Sequence, residues 1–152
     1  MSKVLISYAT MSGNTQKVAV HIGEELKKNM SDIEPKLVDM MELTEELFAE
    51  FDLIILGSST WTDGEFNPIS LEFFNQLQGS TSDLSRFHFA VFGLGESYYP
   101  EFCTVVEKMT EILKAKNAII VGNPLKLDGY VDDNMLSKAN EWALTLISSL
   151  QG

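Results

Sequence analysis

Short, almost wholly apolar runs recur along this chain, and most are followed by a stretch whose apolar residues fall at helical spacing. That alternation constrains the fold more than any other feature. Lys3 to Tyr8 (KVLISY), Pro35 to Met40 (PKLVDM), Leu53 to Ser58 (LIILGS), Phe87 to Gly93 (FHFAVFG) and Ala118 to Val121 read as five strands, the last resuming at Leu125 to Leu127. A run such as LIILGS lacks the in–out alternation of a half-exposed strand, so both of its faces are expected to be covered. Between strands, Gln16 to Met30 puts Val18, Ala19, Ile22 and Leu26 on one helical face, with Gly23 beside them to let a sheet come close. Ser70 to Gln78 predicts a short helix. Phe102 to Lys116 repeats apolar residues at Phe102, Val106, Met109 and Leu113. Asp133 to Leu150 predicts a closing helix with Leu136, Ala139, Ala143, Ile147 and Leu150 inward. Strands that alternate with amphipathic helices specify an α/β fold, a parallel sheet with helices on both faces. Crossovers in such sheets are right-handed, and ligands gather at the carboxyl ends of the strands. The loops after strands one, three and four are therefore where chemistry is expected.

The chain has 152 residues and 45% hydrophobic content, enough for one core. No repeat, low-complexity tract or Pro/Gly/Ser linker divides it, so one domain over residues 1–152 is expected. Acidic residues number 22 against 11 basic ones, a net charge of −11. Such a surface repels nucleic acid and anionic membranes and suits transient partners with a basic docking face. Cys103 is the only cysteine, so no intrachain disulfide can form. The first apolar run stops at Ser7, too short for a secretory h-region, and no run approaches a membrane span. A cytoplasmic monomer is the expectation. His21 and His88 have no ligand-spaced partners, and no metal site is expected.

The loop after strand one reads Thr10-Met11-Ser12-Gly13-Asn14-Thr15 and runs into the first helix. Gly13 permits a tight turn, and the helix start adds unpaired N–H donors at the positive end of its dipole. Together they suit one phosphate held by neutral donors. Lys17 lies already inside the helix, so the lysine of a nucleotide-hydrolysing phosphate loop is missing. The plainer alternative is a polar turn with Asn14 or Thr15 as helix N-cap. The loop after strand three, Ser58-Ser59-Thr60-Trp61-Thr62-Asp63, offers small hydroxyls and then an indole able to stack on a planar ligand or to fold onto the core. The loop after strand four, Gly93-Leu94-Gly95-Glu96-Ser97-Tyr98-Tyr99-Pro100-Glu101-Phe102-Cys103, offers glycines for close backbone approach and a second aromatic face. A phosphate cradle and two aromatic loops fall at one sheet edge.

In these three ordered motifs the chain resembles the flavodoxin family over essentially its whole length, and the short-chain bacterial type in particular. The resemblance implies a flavodoxin-like three-layer sandwich, a five-stranded parallel sheet of order 2-1-3-4-5. It implies a low-potential one-electron carrier that shuttles electrons between a reductase and acceptor proteins on non-covalently bound FMN. Thr10, Met11, Ser12, Gly13, Asn14 and Thr15, with Ser58 and Ser59, would hold the phosphate. Thr60, Trp61, Thr62 and Asp63 would cover one flavin face. Gly93, Leu94, Gly95, Glu96, Tyr99, Phe102 and Cys103 would cover the other and read the pyrimidine edge by backbone contacts. Tyr99 is preferred to Tyr98 for its spacing to Cys103. Thr62 departs from the pattern, because many family members carry glycine there. In the family the adjoining peptide flips when the flavin is reduced, and a β-branched residue makes a positive φ dearer by about 1 kcal/mol. A smaller yield of half-reduced flavin in a reductive titration than in glycine-bearing relatives is expected.

Competing readings fail at particular residues. A receiver domain needs an acidic pair after strand one and an acceptor Asp after strand three, where this chain has Ser7-Tyr8-Ala9-Thr10 and Gly57-Ser58-Ser59. A low-molecular-weight phosphatase needs Cys and Arg in the first loop. An FMN-dependent quinone reductase of the same fold is the remaining alternative, but such enzymes carry extra loops for a second substrate.

Overall fold

The computed structural model describes residues 3–10, 12–60, 65–95 and 103–151. In chain order the elements are β1 (Lys3–Ala9), α1 (Asn14–Asn29), β2 (Glu34–Asp39), β3 (Leu53–Ser59), α2 (Pro68–Gly79), β4 (His88–Gly95), α3 (Thr104–Ala115), β5 (Ile119–Ile120), β6 (Leu125–Asp128) and α4 (Asp133–Gln151). The sheet runs β2-β1-β3-β4-β5 and is parallel throughout, with β6 also pairing with β4. β5 and β6 thus share the fifth place, and the expected order 2-1-3-4-5 is the one observed.

Successive strand residues point to opposite faces, which splits the apolar runs between two cores. Val4, Ile6 and Tyr8 of β1 face α1 and α4, where they meet Ile22, Leu26, Ala139 and Leu146. Leu5 and Ala9 face α2 and α3 with Ile54, Leu56, Phe74, Leu77, Met109 and Leu113. Every residue of β3 through Ser58 is buried, as a doubly covered strand requires. Burying each such Leu, Ile or Phe contributes roughly 1.5–3 kcal/mol. An exposed ion pair such as Lys27–Glu34, at 3.0 Å, is worth at most about 1 kcal/mol. The two cores, not the surface charges, hold the sandwich.

The strands and helices fall where the periodicity places them, with local corrections. Met40 ends no strand. Asp39 accepts a hydrogen bond from the Met41 N–H at 2.9 Å, and this turns the chain into a 3-10 segment, Met40–Glu42, followed by another at Glu45–Glu50. The second segment exists to bury Phe48, whose ring meets Phe89 edge-on at 5.2 Å. The fifth strand is only Ile119–Ile120 before Gly122, at φ 66, and Pro124 interrupt it. In α4 the inward residues are Met135, Ala139, Trp142, Ala143, Leu146 and Ile147, while Leu136 and Leu150 are half-buried. The Trp142 indole N–H donates to the Asn123 carbonyl at 2.7 Å, which turns the buried stripe toward the break in the fifth strand. Gly23 is buried, but a Cβ there would meet Ile6, Leu37 and Pro35 at 3.4–3.6 Å, ordinary contact. Helix α1 does not need glycine to approach the sheet.

Candidate functional site

β1, β3, β4 and β6 end at the same edge, and their last residues converge on an open hollow of about 140 Å³. Thr10, Ser12, Asn14 and Thr15 line it from the β1–α1 turn, Ser59 and Thr60 from the end of β3 and the residue after it, Leu94 and Gly95 from β4, and Gly129 from just after β6. Larger hollows lie elsewhere. One of about 380 Å³, near Asp52, Arg86 and His88, opens at the amino ends of β3 and β4. Another of about 320 Å³ lies between α3 and the Pro124 segment. Neither gathers backbone donors at strand carboxyl ends, so the smaller hollow is the candidate site despite its size.

The first loop is built to present donors. Gly13 has φ 93, and its N–H donates to the Thr10 hydroxyl oxygen at 2.9 Å. The first helical bond runs from the Lys17 N–H to the Gly13 carbonyl at 3.1 Å. The N–H groups of Asn14, Thr15 and Gln16 are therefore left without an acceptor one turn back, at the positive end of α1. The cap residue of α1 is Gly13, with no side-chain cap, so the alternative of Asn14 or Thr15 as N-cap does not hold. Thr15 is buried against the loop, whereas Lys17 is exposed. An acceptor-only oxygen anion fits this donor set, and no cation sits in the first turn to hold a transferable phosphoryl group.

The other walls come from β3 and β4. The Thr60 N–H donates to the Leu94 carbonyl at 2.8 Å, which extends the β3–β4 pairing to the rim. Thr60 also pairs antiparallel with Phe66, and these two flank the segment carrying Trp61, Thr62 and Asp63. Gly129, at φ 85, donates its N–H to the Gly95 carbonyl at 2.9 Å and closes the far side.

Three expected site residues sit behind the hollow. Ser58 is fully buried, and its hydroxyl donates to the Ser70 hydroxyl oxygen at 2.9 Å. Gly93 is buried two residues before the end of β4. A Cβ there would collide with a Val106 methyl and stand 3.3 Å from the Ser58 carbonyl, so its bareness serves the packing of α3. Cys103 caps α3 at φ 51, with its sulfur 3.5 Å from the Gly93 carbonyl and 3.8 Å from that of Leu127. Burial pushes its thiol up to about 11. Met11, Trp61, Thr62, Asp63, Glu96, Tyr99 and Phe102, with Tyr98, lie outside the described residues.

Two residues of the site escaped the sequence reading. Gly129 was signalled only by the Asp128-Gly129 turn dipeptide. Asn67 is fully buried and joins three elements. Its signal was Asn before Pro68, a cap residue followed by proline at the first helical position.

A family model described as Flavodoxin matches residues 6–142. This chain belongs to the flavodoxin family. It is 32% identical over 131 residues to the flavodoxin of Maridesulfovibrio salexigens, a match covering 85% of this chain and 88% of that one. Among solved structures, oxidised flavodoxin 2 from Bacillus cereus superposes with a TM-score of 0.88 at 34% identity, over 97% of this chain and 99% of that one. The flavodoxin of Fusobacterium nucleatum bound to flavin mononucleotide has the same fold, with a TM-score of 0.78 at 18% identity over 98% and 99% of the two chains. Only residues 121–124 separate β5 from β6, in keeping with the short-chain flavodoxins. No helix of the described residues is long and apolar enough to cross a membrane, and no three metal-ligating side chains cluster among them.

Proposed function

We propose that this flavodoxin carries single electrons between partner proteins on one FMN held without a covalent bond. The carrying observation is the neutral cradle at the β1–α1 turn, where backbone N–H groups and the hydroxyls of Thr10, Ser12, Thr15 and Ser59 surround one hollow. Gly13 and Asn14 complete that turn. A phosphate monoester fits such a donor set because its oxygens only accept. The flavin supplies the one-electron chemistry, and the chain supplies its surroundings. Thr60, Trp61 and Thr62 would cover one ring face, and Leu94, Gly95 and Tyr99 the other, with Phe102 and Cys103 behind. Asp63 and Glu96 beside the ring would oppose a second negative charge. Two like charges about 8 Å apart at an effective dielectric of ~40 repel by roughly 1 kcal/mol, on the order of 40 mV for one electron. Partner proteins with basic faces would dock transiently on this acidic surface, whose net charge is −11.

The test is an absorption spectrum of protein purified without added cofactor, followed by acid release and identification of the flavin. Oxidised-flavin bands and released FMN are expected. A colourless protein that takes up no added FMN overturns the reading, and steady turnover of NAD(P)H by the protein alone would make it an enzyme instead of a carrier. Asp63→Asn with Glu96→Gln should raise the potential of the second reduction by on the order of 40 mV per charge removed. A potential that stays put or falls in spectroelectrochemical titration would sink the electrostatic part of the proposal.

A further inference from the structure

Asn67 shapes the site without lining it. Its Oδ1 accepts from the Ile69 and Ser70 N–H groups, both at 3.0 Å, and so caps α2. Its amide nitrogen donates to the Ala9 carbonyl at 2.9 Å and to the Ser59 hydroxyl oxygen at 2.9 Å, with the Ser58 hydroxyl oxygen at 3.3 Å. This orientation is forced. A flipped amide would aim its NH2 at two N–H groups that can only donate, and its oxygen at a carbonyl that can only accept. Ser59 therefore accepts a hydrogen bond from Asn67 and keeps its own single proton to donate. Around it the Ser70 hydroxyl donates to the Asn67 carbonyl at 3.2 Å, and the Ser58 hydroxyl spends its one proton on Ser70 at 2.9 Å. Among the described residues no acceptor takes the Ser59 proton, and Ser59 lines the hollow.

We infer that Asn67 is a positioning residue: by holding Ser59 as an acceptor on one side, it turns the Ser59 hydroxyl into a fixed donor toward the hollow and so favours a phosphate ester over a neutral hydroxyl. The inference rests on the FMN reading above. A phosphate oxygen accepts from a fixed donor and gains a charge-assisted bond. The terminal hydroxyl of riboflavin gains a neutral bond and is equally served by an unoriented serine. The gain is therefore selective for FMN.

Asn67→Ser tests it, because serine still caps a helix but is too short to span from α2 to Ser59. Apo-protein is titrated with FMN and with riboflavin by flavin-fluorescence quenching. In the parent chain FMN should bind tighter. In Asn67→Ser the FMN affinity should fall about tenfold, the size of one charge-assisted hydrogen bond, while riboflavin affinity changes less than twofold. Ser59→Ala should cost FMN affinity in the parent chain and little in the Asn67→Ser background. A purely structural role for Asn67 would weaken both flavins alike and leave the two substitutions additive, which overturns the inference. Should Asn67→Ser fail to melt cooperatively, Asn67→Asp keeps the size and the cap. Its second oxygen draws the Ser59 proton away, and the same fall in the FMN-to-riboflavin affinity ratio is expected, an unchanged ratio being contrary. A parent chain that binds neither flavin defeats the FMN reading itself, whereas FMN preference kept intact in these variants defeats this inference alone.

Discussion

Gly57→Ala should destabilise the apo-protein by about 3 kcal/mol, at the upper end of the usual range for overpacking a core. Gly57 lies in the middle of the sheet, registered with Tyr8 on one side and Phe92 on the other. The outer end of the Phe92 ring lies where a side chain at 57 would go, and a Cβ there would collide with it. Phe92 cannot retreat freely, because it is fully buried in the α1–α4 core and meets Trp142 at 6.0 Å between ring centroids. For a chain of this length the loss corresponds to a fall in melting temperature of about 6–12 °C. Gly57→Ala combined with Phe92→Leu should recover much of it, since the two sites are in contact and their effects will not add. A single variant melting within about a degree of the parent would mean that the ring does not cover Gly57.

Cys103→Ala should remove a loss of stability that the parent chain suffers in alkali. Burial first, against smaller opposing effects from the Leu127 backbone and the Thr60 hydroxyl, raises the thiol from its usual 9.0 to about 11. Below about pH 9 the thiol is neutral in both folded and unfolded chains, and the folded state keeps its full stability. Between pH 9 and 11 the unfolded chain ionises there while the folded one cannot, so stability drains away as pH rises. Two pH units amount to about 3 kcal/mol, complete only above the folded value. Urea midpoints at pH 8, 9.5 and 11 check this by difference, because tyrosines and lysines titrate alike in both proteins. The gap between the two should close or reverse toward high pH. Parallel curves would show that the buried thiol is not what the folded state protects.

The fold was legible because both signals that carry it are local. A doubly covered strand such as LIILGS and a 3.6-residue stripe such as Val18, Ala19, Ile22 and Leu26 can each be read within a short window. The tight turn into α1 was legible for the same reason, since Thr10, Gly13 and the start of α1 are neighbours in the chain. What stayed hidden depends on contacts across the fold. Asn67 gains its meaning from Ala9, 58 residues away. Gly93 reads as a ligand-facing glycine until α3 is seen lying on it, and Gly57 is unremarkable until Phe92 is placed beside it. The 3-10 segment around Phe48 has no periodic signature, because it is set by one aromatic side chain seeking a core.

The interruption at Gly122 and Pro124 has a consequence for how this protein tolerates company. The outermost position of the sheet is filled by a two-residue piece and a four-residue piece. A second chain trying to add itself along that margin would find two rungs, then a bend with a proline that has no proton to offer, then a fresh start out of step. Fibril-like stacking has nowhere to begin along that side, so one margin of the sheet is protected against adding a foreign strand.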